Sequence, residues 1–415
     1  DRDVTGVQTC ALPISERYEL VSNDITKKEK VSLDFLNEDM AKKVLKFHSS
    51  FAQYSQTPLV ELKELAKYLG VEDLFVKDES YRFGLNAFKV LGGSFAIGQY
   101  IANRLNKNID DLPYKTLISD EVKKELGDLT FITATDGNHG RGVAWTAKQL
   151  KQNAVVYMPK GSTKERLENI RALGAKAEIL DMNYDECVRY ANKLAEENGW
   201  VMVQDTAWEG YEDIPTWIMQ GYMTLAYESY LKMKEQNKKP THIFLQAGVG
   251  SLASSVCGFF SSIYADSKPI ITIVEPNKAN CIFRTAKAND GKLHFVTGDM
   301  DTIMAGLACG EPNTIGWKVL NFYADNFLSV PDSVAAHGMR VLGNPLKGDE
   351  RVISGESGAV TTGAVSQLMM KEELKDIKKA LKLDENSVVL CISTEGDTDF
   401  EHYRKVVWDG LYSNK

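Results

Sequence analysis

From about Leu36 onward the apolar positions fall into short regular blocks whose spacing alternates between two kinds of element. Apolar residues three and four apart predict helices over 37–49 and 60–69, and the run Leu74-Phe75-Val76-Lys77 predicts a strand leading to a helix that begins near Asn86. The alternation then tightens: strand Leu129 to Thr135, helix 138–151, strand Ala154 to Met158, helix 163–173, strand Ala177 to Leu180, helix 183–198. A second series follows, with helix 216–236, strand Ile243 to Leu245, helix 250–263, strand Ile270 to Val274, helices near 315–324 and 332–342, and a last strand Val388 to Ile392. Strand and helix in turn are the βαβ rhythm of a parallel sheet, so the pattern predicts an α/β fold. The helix at 163 carries its own punctuation: Ser162 and Glu165 make a capping box, Leu167, Ile170 and Leu173 share a face, and Gly174 stands where a left-handed cap belongs.

Two stretches break the rhythm. Asp1 to Ser15 (DRDVTGVQTCALPIS) shows no periodicity and reads as a non-native artefact, to be set aside with Cys10. The polar stretch Asn106 to Asp128 reads as a surface insertion. No repeat or proline- and glycine-rich linker separates the two series, which predicts domains discontinuous in sequence around a shared cleft: a large one from 16–119 and 216–415, and a small α/β one from 120–215.

Composition narrows the function classes. A chain of 415 residues with 43% hydrophobic content has ample core material for a globular enzyme. With 57 acidic against 49 basic residues the net charge is −8 and no basic block stands out, so nucleic acid and anionic membranes are poor partners and small molecules better ones. No apolar run is long enough to cross a bilayer, and six scattered cysteines without a C-x-x-C pair suit a cytoplasmic protein. Six histidines form no metal-ligand cluster, so no metal site is expected.

Three segments carry candidate chemistry. Lys89 sits among Phe88, Val90 and Leu91 before the Gly92-Gly93 pair. A solvated lysine is the usual case, but in this apolar setting desolvation lowers the pKa and makes an amine nucleophilic. The second segment, Thr133-Ala134-Thr135-Asp136-Gly137-Asn138-His139-Gly140, stands at a strand-to-helix junction and could aim polar groups into one small volume; the bland alternatives are a plain turn and, for Asp136, a helix cap. The third, Gly248-Val249-Gly250-Ser251-Leu252-Ala253, follows a strand and opens a helix, which places amides and a helix dipole against an anion. It also fits a relaxed dinucleotide fingerprint, with Glu275 about where a ribose-binding acid would stand. Taken alone, this region leaves an NAD-dependent dehydrogenase and a pyridoxal enzyme level, with a structural turn third.

Several longer segments, in order, resolve the tie: Lys77 to Ser80 with Arg82 to Lys89, Thr133 to Gly142, Val203 to Tyr211, Met304 to Pro312, Ser354 to Ala359, and Ser393 to Asp399. Together they make the chain, from about residue 36 to its end, resemble the fold-type II pyridoxal phosphate enzymes, and within them the diaminopropionate ammonia-lyase family. The resemblance implies two parallel-sheet α/β domains with pyridoxal 5'-phosphate in the cleft, the large domain binding the cofactor, and a homodimer. It implies that Lys89 condenses with the cofactor aldehyde, that Gly248, Val249, Gly250, Ser251 and Leu252 bind its phosphate, that Asn138 meets the ring hydroxyl and that Ser393 faces the pyridine nitrogen. Ala134, Thr135 and Gly137 would help hold the substrate carboxylate, with Asp136 and Asp205 as the two acid/base groups.

The implied reaction is α,β-elimination of 2,3-diaminopropionate, in both D and L forms, to pyruvate and ammonia. A serine/threonine dehydratase of the same fold is the nearest alternative, though relatives of that kind usually have serine where this chain has Asp136.

Overall fold

The structure, a computed structural model, describes residues 17–135 and 137–413; the segment Asp1 to Ser15 and Asp136 lie outside the described residues. In chain order its strands are β1 (Glu19–Ser22), β2 (Leu59–Glu61), β3 (Asp73–Asp78), β4 (Thr130–Ala134), β5 (Asn153–Met158), β6 (Lys176–Ile179), β7 (Val201–Met202), β8 (His242–Gln246), β9 (Ile270–Pro276), β10 (Asn326–Val330) and β11 (Val388–Ser393). They build a seven-stranded sheet in the order β1-β10-β9-β8-β11-β3-β2 and a four-stranded sheet in the order β6-β5-β4-β7. The small sheet is parallel throughout. In the large one the central strands are parallel and the edges β1 and β2 run antiparallel.

The central strands are buried along their whole length, as expected when helices cover both faces of a parallel sheet. In such sheets ligands collect at the carboxyl ends of strands. Here the segments that follow β4, β8 and β11 all open on one cleft.

Three helices meet closely beside that cleft: Val90–Arg104, Asn138–Gln149 and Asp213–Glu235. Glycine permits the approach. A β-carbon on Gly142 would lie 2.8 Å from the Val90 Cα, and one on Gly221 only 2.4 Å from the Leu91 carbonyl oxygen. The first turn of the helix that follows Lys89 is therefore clamped backbone to backbone from two sides.

The expected elements correspond closely to those found, with instructive departures. The helix expected over 60–69 is shorter, Lys63–Leu69, because Leu59–Glu61 pairs with β3 through Leu59 and Lys77, Val60 and Val76, and Glu61 and Phe75. The cap of the helix expected over 163–173 moves by one residue. Ser162 closes a turn onto the Pro159 carbonyl, so Thr163 caps the helix Lys164–Arg171 by accepting from the Arg166 amide, while Gly174 is left-handed as expected at φ +89°. The stretch expected to be a surface insertion folds into short helical turns that bury Leu112, Leu117, Val122 and Leu126 in the main core.

Candidate active site

Lys89 lies at the end of an irregular segment in which Phe83 and Asn86 take left-handed backbone angles, and it caps the helix Val90–Arg104. Its Nζ stands 2.5 Å from Asp205 Oδ2, with the lysine side chain 16% and the aspartate 3% exposed. Asp205 follows β7 and is held at both ends. Its carbonyl accepts from Ser251 Oγ at 2.5 Å and from Asn313 Nδ2 at 3.1 Å. Its Oδ1 accepts from the Tyr184 hydroxyl at 3.3 Å. Burial works to raise the Asp205 pKa, but the charge of Lys89, then that of His139, and hydrogen bonds from Lys89 and Tyr184 hold the carboxyl well below the usual range.

Lys89 and Asp205 share one cavity with Asn138, with Gly248, Val249, Gly250, Ser251 and Leu252, and with Gln246, Tyr222, Ser357, Thr394 and Glu395. Four helices of 12 to 15 residues begin at its wall, with Lys89, Asn138, Ser251 and Ser357 in their first positions. Their positive ends converge, which favours an anion. Among the described residues the amides of Gly248, Val249 and Gly250 meet no backbone acceptor, and those of Ser251 and Leu252, in the first turn of the helix Ser251–Ile263, have no partner within it. Gly250 has φ +99°, a conformation that turns the loop in and that side chains resist. A β-carbon on Gly248 would come within 3.1 Å of the Leu307 Cα. The cradle of outward amides, the lysine and the converging helix ends fit the phosphate and aldehyde of pyridoxal phosphate.

The other expected residues are placed less directly. Asn138 opens the helix Asn138–Gln149 and its amide nitrogen donates to the Glu395 carboxylate, itself buried in the cavity wall. Thr135 lines a wider opening that adjoins the cavity and also contains His139, Arg166, Asp399 and His402. The amides of Ala134, Thr135 and Gly137 already have acceptors: Gln204 Oε1 at 3.0 Å, the Tyr157 carbonyl at 3.0 Å and Thr135 Oγ1 at 2.9 Å. A substrate carboxylate at this loop would have to take over these donors or meet the Thr135 and Asn138 side chains. Ser393 ends β11 one residue behind the wall, wholly buried, with its hydroxyl donating to Ser354 Oγ at 2.8 Å.

Sequence reasoning gave no site role to Tyr222, Gln246, Glu395 and Ser357. Signals were available for three of them: Ser357 lies inside the Ser354 to Ala359 segment, Glu395 inside the Ser393 to Asp399 segment, and Gln246 two residues before Gly248. Glu275, where a dehydrogenase would hold a ribose, has another task. Its two carboxylate oxygens accept from the Ile282 and Phe283 amides at 3.0 and 2.5 Å, and burial pushes its pKa up to about 8. It closes the start of the helix Cys281–Ala288 and is 1% exposed, which leaves no acid for a nucleotide there.

Comparison with known proteins gives the family. The pyridoxal-phosphate dependent enzyme family model matches residues 51–394. The diaminopropionate ammonia-lyase of Salmonella typhimurium is 51% identical over 381 residues, 91% of this chain and 94% of that one. The crystal structure of holo diaminopropionate ammonia lyase from Escherichia coli aligns with a TM-score of 0.89 at 48% identity over 96% of this chain and 98% of that one. The same enzyme in complex with an aminoacrylate-PLP azomethine reaction intermediate aligns at 0.88 with 47% identity over 96% of this chain and 99% of that one. The chain belongs to the fold-type II pyridoxal-phosphate dependent enzymes, in the branch of the diaminopropionate ammonia-lyases.

Proposed function

We propose that this chain uses pyridoxal 5'-phosphate to eliminate ammonia from 2,3-diaminopropionate, releasing pyruvate and a second ammonia, and that it accepts both enantiomers. The observation that carries the reading is the Lys89–Asp205 pair, 2.5 Å apart, in the wall of the cavity that holds the Gly248 to Leu252 amides. When bound, the cofactor supplies an electron-withdrawing ring that makes the substrate Cα–H acidic.

The chain's own residues supply the rest. Lys89 is the amine for the aldehyde, Gly248, Val249, Gly250, Ser251 and Leu252 hold the phosphate, Asn138 meets the ring hydroxyl, and Ser393 stands toward the pyridine nitrogen. Ala134, Thr135 and Gly137 take the substrate carboxylate. Asp205 Oδ2 accepts the Cα proton of the L form and Asp136 that of the D form. The charge of Lys89 keeps Asp205 ionised and weakly basic. Once that charge is removed, burial is the leading influence left and the carboxylate becomes a stronger base.

The test is pyruvate release from purified protein with D- and L-2,3-diaminopropionate, D- and L-serine and threonine in parallel, with ammonia counted against pyruvate. Two ammonia per pyruvate is expected from either diaminopropionate enantiomer. A higher kcat/KM for serine or threonine would make the chain a dehydratase instead. The same reading makes it a cytoplasmic homodimer with no nucleic-acid or membrane partner; light scattering of the purified protein tests the dimer.

A further inference from the structure

The side-chain hydroxyl of Tyr222 is out of keeping with its surroundings. Tyr222 lies in the middle of the helix Asp213–Glu235, is 1% exposed, and among the described residues its hydroxyl has no hydrogen-bond partner. The ring is fixed in place. It packs on Phe88 with centroids 4.8 Å apart and fills the space a β-carbon on Gly92 would need, 2.6 Å from its Cε1. The residue lines the same cavity as Lys89 and the Gly248 to Leu252 loop.

A buried phenol oxygen without a partner is costly, and phenylalanine would fill the same space without that cost. A tyrosine there therefore points to an acceptor within the cavity. Burial and the charge of Asp205 push its pKa up and the charge of Lys89 pulls it down, with a net rise, so the group is a proton donor. The loop also lacks a side-chain donor of its own: Ser251 Oγ donates to the Asp205 carbonyl and accepts from Asn313 Nδ2.

We propose that Tyr222 is a cofactor-binding residue whose hydroxyl donates to the phosphate held by the Gly248 to Leu252 amides. The inference rests on the phosphate position given under the proposed function. It adds a side-chain donor, from a helix outside the loop, to a cradle otherwise made of backbone. A hydrogen bond to a dianion is of the stronger kind.

Tyr222→Phe tests it through cofactor affinity and stability rather than turnover. Dissociation constants of pyridoxal phosphate and of pyridoxal, which has no phosphate, are measured for the cofactor-stripped full-length chain, together with its Tm. The expected result is an affinity for pyridoxal phosphate about 10- to 100-fold weaker, an unchanged affinity for pyridoxal, and a cofactor-free Tm equal to or above that of the original chain. Equal weakening for both ligands would assign the hydroxyl to Lys89 or the ring and overturn the proposal. No weakening, or a lower cofactor-free Tm, would overturn it as well. Gly250→Ala, strained at φ +99°, tests the cradle separately: if it too leaves pyridoxal phosphate affinity unchanged, the phosphate position is wrong; if it weakens binding while Tyr222→Phe does not, only the tyrosine assignment falls.

Discussion

Lys77 and Lys89 stand near each other in the sequence and each holds a buried carboxylate, at 2.6 Å from Glu228 and 2.5 Å from Asp205, yet their surroundings give them opposite work. Lys77 is wholly buried on β3, donates to the Thr57 carbonyl at 2.7 Å as well as to Glu228, and belongs to a cluster in which Arg82 bridges Glu79 and Glu228 at 2.8 and 2.7 Å. Two cations and two anions balance there, all of them buried. Lys89 is partly exposed and borders both the cavity of the Gly248 loop and the wider opening. Ion pairing and burial alone do not mark a reactive lysine. Access does, together with a partner that itself reaches the cavity.

The comparison breaks first at Lys89. Lys89→Ala should abolish the phosphopyridoxyl label left by borohydride reduction and reduce pyruvate release by roughly 10⁴-fold or more, the upper end for loss of an acid/base group. Peptide mapping of the label onto Lys77 or any other lysine would refute the assignment. The next largest effect is stereochemical. Asp205→Asn should lose about 10²–10⁴-fold in kcat/KM for L-2,3-diaminopropionate and far less for the D form, with Asp136→Asn giving the mirror image; equal losses for both enantiomers in each variant would exclude two separate bases.

Lys77→Met sharpens the contrast from the other side. It leaves Glu228 with Arg82 as its remaining charge partner, so the cost falls near the low end of a broken buried pair, about 3 kcal/mol, read from urea unfolding. The label on Lys89 should persist in the fraction that folds. A variant as stable as the original chain would mean the buried cluster contributes nothing to folding.

The smallest effect is at the rim of the wider opening, where His402 Nδ1 lies 2.5 Å from Glu356 Oε1. Hydrogen bonding to Glu356 raises the His402 pKa against the opposing influence of burial. A histidine raised above its unfolded value of 6.5 gives its full stabilisation below that pH and loses it as pH rises through the folded value. Glu356→Gln should flatten this part of the Tm-against-pH curve; an unaltered slope would show that the pair has no part in it.

The fold was legible because a parallel sheet needs strands and helices in strict turn, and these segments alternate clearly. The helix Glu356–Met370 escaped notice for a physical reason. It is buried from Glu356 to Leu368 on every side, so it has no polar stripe to give a 3.6-residue period, and its glycines, serines, threonines and valines are weak helix formers. Within the site, Lys89, Asn138 and the Gly248 loop were legible because their chemistry demands glycine or a strand-to-helix junction nearby. Tyr222 and Gln246 were not, since a tyrosine in a buried helix and a glutamine ending a strand look like ordinary core until the unpartnered Tyr222 hydroxyl and Gln246 Oε1 are seen at the cavity.

The clamp around the helix that follows Lys89 bears on how this site could be remodelled. With no room for even a methyl group at Gly142 or Gly221, random libraries seeking new substrates should return few survivors at these two positions and at Gly92. Diversity should collect instead around the wider opening, at Lys160, Ser162, Asp299 and Asp301, whose side chains are exposed or half-buried. The scaffold thus divides itself into a frozen sector that keeps Lys89 in register and a permissive sector where selection can act.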